Sequence, residues 1–217
     1  MVQVVGVIAD IVGSRELTDR PAAQRAIADT FARVEACLPA QRPAWATVGD
    51  EFQLIATTWQ EALRITLRVQ TLLAEKVQLR FGMGAGQIHT IEEGETGPIQ
   101  DGTGWLHARA AIEEVEQRQQ RRDDVLSAFH SDNAELTTAV TAQLMLRDHV
   151  VTRMKSRERR LFGALLLGAT QQEAAGEERI SQAAVSQALH RSGAMALLDA
   201  DAMLADSTPS DDRKEDS

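Results

Sequence analysis

Apolar residues recur along this chain with two different periods, and the changes of period divide it into elements. Val2 to Ala9 is a short, largely β-branched run that stops at Asp10, the pattern of a strand buried on both faces. Asp19 and Pro21 then open a helix in which Ile27, Phe31, Val34 and Leu38 recur at helical spacing. A strand-like stretch from Trp45 to Ile55 is interrupted by Thr47-Val48-Gly49-Asp50-Glu51-Phe52-Gln53. Gly, Asp and Glu are poor strand formers, but they suit the tip of a tight turn, so the interruption predicts a hairpin.

A second amphipathic helix is expected from about Trp59 to Ala74, with Ala62, Ile65, Val69 and Leu72 on one face. In the following strand Leu79, Phe81, Met83 and Ala85 alternate with Gln78, Arg80, Gly82 and Gly84. Its glycines leave one face bare, for close approach of a ligand or of a helix backbone; both readings are open. Gly94 and Gly97-Pro98 mark a turn, Trp105 to about Gln119 predicts a helix with Ala108, Ile112 and Val115 inward, and Val125 to Phe129 a last strand. Asp101-Gly102 reads as turn chemistry. The order predicts an α/β (α+β) domain: a mainly antiparallel sheet with helices largely on one face. Residues 1–130 form this domain, residues 131–198 read as all-helical, and the acidic stretch 199–217 as a disordered tail.

A net charge of −9 argues against a chain coated in nucleic acid, while leaving room for a local basic patch. One such patch exists: between Val151 and Met195 seven basic residues stand against four acidic ones. A single cysteine, Cys37, excludes an internal disulfide, and its apolar neighbours predict a buried thiol. The histidines show no zinc-ligand spacing. No apolar run approaches the ~20 residues of a membrane span, and the start lacks signal-peptide character, so a cytoplasmic protein without membrane contact is expected.

Candidate chemistry falls in two places. Asp10 closes the first strand, and Asp50 with Glu51 occupies the hairpin. If the two pair, their carboxylates meet at one sheet edge, where oxygen ligands suit Mg²⁺ with bound phosphates; alternatively Asp10 caps a turn and the hairpin acids face water. Ser14 and Arg15, just beyond the first strand, are placed to donate to such phosphates.

The second place is the segment of about residues 156–193. Thr170 with Glu173 fits a capping box, Ser181 an N-cap and Gly193 a helix end. Ala175, Ile180 and Val185 then fill the close-packed positions of a helix-turn-helix, with Arg179 where a glycine is usual. Gln182, Ala183, Ser186, Gln187 and His190 are left outward, able to read base edges. Arg157, Arg159 and Arg160 are expected to contact phosphates. The same pattern would serve a helical appendage that packs on the sheet or on a second subunit.

The blocks VIADIVGSR, TVGDEFQ, LRFGMGAGQI and DGTGWLHARAAIE, in this order, resemble the SatD family of bacterial proteins through nearly the whole chain. More remotely they resemble class III nucleotidyl cyclases and the hairpin of GGDEF diguanylate cyclases, which share a palm-type, ferredoxin-like sheet. The resemblance implies a palm domain in which Asp10 and Asp50 hold a metal, Glu51 matches the GGDEF glutamate, the Ile11 carbonyl is a further ligand and Arg109 meets phosphate. Ala46 stands where the cyclases have a base-recognising Lys, and His107 and Arg109 lie where they have Asn and Arg; Val48 replaces the first Gly of GGDEF. Binding is therefore expected before turnover. The resulting expectation is a homodimeric regulator, nucleotide- and Mg²⁺-binding, coupled to a DNA-binding helix-turn-helix. The alternative is an active nucleotidyl cyclase or nucleotidyl transferase whose C-terminal helices serve assembly.

Overall fold

The first apolar run becomes β1 (Val4–Ile11), the middle strand of a five-stranded sheet in the computed structural model, which describes residues 3–47, 50–73, 77–94 and 97–207. Around it lie β2 (Arg42–Ala46), β3 (Glu51–Ala56), β4 (Leu79–Gly86) and β7 (Ser127–His130), in the order β2-β3-β1-β4-β7. Pairing is antiparallel except between β4 and β7, so the expected mainly antiparallel α/β sheet is what forms. Val48 and Gly49, the tip of the β2–β3 hairpin, lie outside the described residues. Two further strands, β5 (His89–Gly94) and β6 (Gly97–Asp101), make a separate hairpin about the expected turn.

Odd-numbered positions of β1 and β4 and even-numbered ones of β3 build the main core, including Val7, Ile11, Leu54, Phe81 and Met83. It is covered by α1 (Arg20–Glu35), α2 (Trp59–Leu72) and α4 (Ala134–Arg153), whose Ile27, Phe31, Ile65, Val69, Val140 and Leu144 enter it. Asp19 caps α1, accepting from the Ala22 N–H as the sequence predicts. Cys37, by contrast, is exposed. Helix α1 stops at Glu35, which takes Cys37 off the buried face; its thiol donates to the Val34 carbonyl at 3.2 Å.

The opposite face of the sheet carries α3 (Thr103–Gln119), so helices cover both faces rather than largely one. The bare glycine face of β4 is where α3 lies. A methyl group on Gly84 would stand 2.1 Å from the Ala108 nitrogen and 2.3 Å from the Gly104 oxygen. The glycines thus admit a helix backbone, which settles the two readings left open by the sequence.

The remaining helices are α5 (Ser156–Leu166), α6 (Gln171–Glu178), α7 (Gln182–Ser192) and α8 (Ala194–Asp206). They share a second core of Leu161, Phe162, Ala174, Val185, Leu189 and Leu197. Helix α2 lies between the two cores and is buried on nearly all sides, Arg68, Gln70 and Thr71 included. Its polar side faces protein, not water. Arg68 grips Asp201 of α8 at 2.6 and 2.8 Å and donates its Nε–H to the Leu166 carbonyl. The stretch expected to be a disordered tail is therefore helical as far as Asp206, because Asp201 has a buried cation to meet; residues 208–217 lie outside the described ones. A further buried pair, Arg147 and Asp148 of α4, ties α2 and β7 together: Arg147 donates to Thr66 and Ser127, and Asp148 accepts from the Leu126 N–H and Gln70.

Candidate functional site

Register places the candidate acids. In the β1–β3 pair Asp10 stands directly opposite Glu51, so both side chains leave the sheet on the α3 face, with Cβ atoms about 4.5–5.5 Å apart. Asp10 also stands opposite Arg80 of β4. Sequence spacing alone thus brings two carboxylates and a guanidinium to one edge, with Asp50 next in the chain.

Each acid has its own arginine. Asp10 holds Arg80 at 2.5 Å, Asp50 holds Arg20 at 2.9 Å, and Glu51 takes Arg109 in two bonds of 2.8 and 3.1 Å while accepting from Gln53 at 2.8 Å. The four arms come from separate elements: Arg20 from the first turn of α1, Arg80 from β4, Arg109 from α3 and Gln53 from β3. Glu51 beside it, with Glu113 and Asp10 near, raises the Arg109 pKa further against the opposing cost of its partial burial. Arg80 also reaches Glu116 at 3.4 Å, and its buried Nε–H finds no partner among the described residues. That orphan donor is unspent capacity at the site.

Ser14 joins through its main chain, since its carbonyl accepts from Arg20 Nε at 3.1 Å. Ile11 ends β1 beside Asp10. The side chain of Arg15 lies outside the described residues. His107 does not join the cluster: its Nδ1 bonds the Ala85 carbonyl at 2.7 Å, so it belongs to the packing of α3 on β4. The sequence reading missed Arg20 and Arg80. Arg80 carried one signal, as the charged member of the glycine-bearing face of β4.

The oxygen-only donor set of Asp10, Asp50 and Glu51 fits Mg²⁺ in its chemistry. Their present arrangement is another matter. Among the described residues no group of three or more His, Cys, Asp or Glu is placed to hold a metal ion, each of these carboxylates being turned to a guanidinium. The expected convergence on one cation is thus corrected to three adjoining ion pairs, and a metal held here would have to displace arginines.

In the helical part, α6 and α7 meet through a three-residue turn at Arg179, which takes the left-handed conformation, φ 55°, that a glycine would adopt more easily. Thr170 and Ser181 cap the two helices as expected. On α7, Val185, Ala188 and Leu189 are buried; Gln182, Ala183, Gln187 and His190 are exposed and Ser186 is half-buried. The arginines expected to bind phosphate are otherwise engaged. Arg160 makes a two-point bond with Glu178, Arg157 approaches the same carboxylate at 3.5 Å, and Arg159 donates to the Gln70 and Thr71 carbonyls at the end of α2. Arg179 is exposed beside the first turn of α7.

A family model described as the SatD family matches residues 4–200. No curated protein matches. Among solved structures, one of adenylate cyclases from Trypanosoma brucei in their monomeric state is similar at 14% identity and a TM-score of 0.39, over 53% of this chain and 70% of that one. The catalytic core of a rhodopsin-guanylyl cyclase with converted specificity, in complex with ATPalphaS, is similar at 16% identity and a TM-score of 0.36, over 49% and 70%.

Proposed function

Starting from a chain that belongs to the SatD family, we propose a two-part regulator that binds DNA through α7 and an Mg²⁺–nucleotide at the edge formed by β1, β3 and β4. The observation that carries the proposal is the presentation of α7. A tight turn after a short helix holds it out, its apolar side is spent on the second core, and a contiguous outward side bears Gln182, Ala183, Ser186, Gln187 and His190. Amide side chains in that position bond adenine edges in two places at once, and Ala183 suits a thymine methyl. Arg179 supplies a phosphate contact at the same end. The protein acts as a homodimer, offering two α7 helices to two half-sites.

The nucleotide half rests on partner exchange. A triphosphate carries the anionic oxygens that Arg20, Arg80 and Arg109 now take from carboxylates, and its Mg²⁺ would take up the carboxylates so released. Charge is conserved in the swap, so no group is left unpaired. Asp10, Asp50 and Glu51 would hold the ion, with the Ile11 carbonyl and Ser14 beside them. Turnover is not part of the reading: Ala46 offers no group to a base, and His107 is committed to the Ala85 carbonyl.

Selection of genomic fragments on the full chain, followed by mobility shifts with and without each nucleoside triphosphate and Mg²⁺, tests both halves. An enriched sequence whose affinity changes with one nucleotide supports the proposal. Failure to enrich any fragment refutes the DNA half, and a cyclic or transferred product in the same tubes replaces binding by catalysis.

A further inference from the structure

A cavity of about 580 Å³ lies where the last turn of α2 meets α1, α5 and α6, on the other side of the molecule's sheet from the acid–arginine edge. Its volume is in the range of small-molecule sites, about 300–1,000 Å³. Arg33 from the last turn of α1, Arg159 and Arg160 from α5, and Ser156 at the first position of α5 contribute to its wall. Two acids, Glu177 and Glu178, also line it, but Glu178 is already chelated by Arg160 and approached by Arg157. The wall includes Thr71, only 3% exposed, whose hydroxyl has no hydrogen-bond partner among the described residues.

We infer that this cavity binds a small ligand through a phosphate group. Planar guanidinium donors, a serine hydroxyl and the first-turn N–H groups of an eleven-residue helix together match a tetrahedral dianion, and a buried hydroxyl without a partner is capacity held for a ligand. The site is separate from the Mg²⁺–nucleotide edge and shares no residue with it. Its ligand touches α2 and α6 at once. Occupancy therefore bears on how α6, and with it α7, is seated against the sheet domain.

Calorimetry and thermal melts of the full chain with inorganic phosphate and with ribose 5-phosphate, against ribose and matched sodium chloride, test the site. Both phosphate probes are expected to bind. Tighter binding of the sugar phosphate would identify a phosphorylated metabolite as the source, and equal binding would identify phosphate itself. Arg33 is exposed, so Arg33→Ala keeps the fold, and it should weaken either probe about tenfold, the loss of one charged hydrogen bond. Ser156→Ala should weaken binding as well, Arg33→Lys should recover part of it, and Asp50→Asn should leave it unchanged. Binding by neither probe, identical binding by the Arg33→Ala, Ser156→Ala pair, or loss in Asp50→Asn alone would overturn the inference.

Discussion

Arg109 of α3 and Glu51 of β3 are joined by two parallel hydrogen bonds across the open end of the sheet, and the guanidinium remains 49% exposed. An ion pair so open to water adds at most about 1 kcal/mol to stability. Arg109→Ala should therefore leave the melting curve nearly unmoved. Its effect should fall on triphosphate affinity, weakened about tenfold or more through one lost charged contact, read by calorimetry with Mg²⁺ present. An unaltered affinity would remove Arg109 from the site.

Asp50→Asn separates the ion from the arginines. With nucleotide at a hundredfold over its Kd, the wild-type chain should gain ~2.7 kcal/mol of stability, and the variant should gain none. Equal ligand-induced shifts in denaturant titrations of the two proteins would show that Asp50 holds no cation.

Gly84→Ala tests the seat of α3. The added methyl would meet the Ala108 nitrogen and the Gly104 oxygen at 2.1 and 2.3 Å, distances that only a shift of main chain can relieve. Overpacking of this kind costs about 1–3 kcal/mol or more, measured as a lower urea midpoint. Gly176, with open space around it, should accept alanine with no such loss.

Acid should loosen the helical part first. Hydrogen bonds from the Thr170 main chain and hydroxyl hold Glu173 below the ordinary glutamate range, and Arg160 does the same for Glu178. Burial pushes Glu158 upward, but bonds from the Lys155 N–H and Arg191 outweigh it and leave that pKa lowered too. A depressed folded-state pKa contributes stability that is complete above the unfolded value, about 4.3, and is lost as pH falls through the folded value below it. Melting temperatures should thus fall with pH below that point. In Arg157→Ala, Arg160→Ala the fall should be shallower, since Glu178 then titrates alike in both states.

Gln182→Ala and Gln187→Ala should each cost ~1–3 kcal/mol on the preferred DNA site and little elsewhere. Arg179→Ala should instead weaken all DNA alike and flatten the dependence on log salt by about 0.9. Mobility shifts at two salt concentrations distinguish these. The slope should be unaffected by Arg159→Lys, whose parent side chain is spent on the end of α2.

Period and punctuation made most of the fold legible. The runs that became β1, α1, α2, β4 and α3 announce themselves through apolar spacing, and Asp19, Thr170 and Ser181 cap the helices assigned to them. What stayed hidden depends on partners distant in sequence. Nothing local says that the polar side of α2 will be buried, since Arg68 is explained only by Asp201, which follows it by 133 positions. The acids of the site were visible because they break a strand pattern. Their arginines were not, because an Arg in a helix turn or on a strand looks the same whether it meets water or a carboxylate.

The Arg68–Asp201 clasp decides what can be moved as a piece. A chain ended at residue 198, where composition turns acidic, would strand a buried guanidinium in the middle of the molecule, so the sheet domain would suffer for a cut made far from it. Grafting residues 131–198 onto another protein would fail for the mirror reason: α4 completes the first core and α8 answers a charge on α2. Transplantation would have to take the whole chain through Asp206, and the two parts have in effect a single heritable boundary at their outer ends.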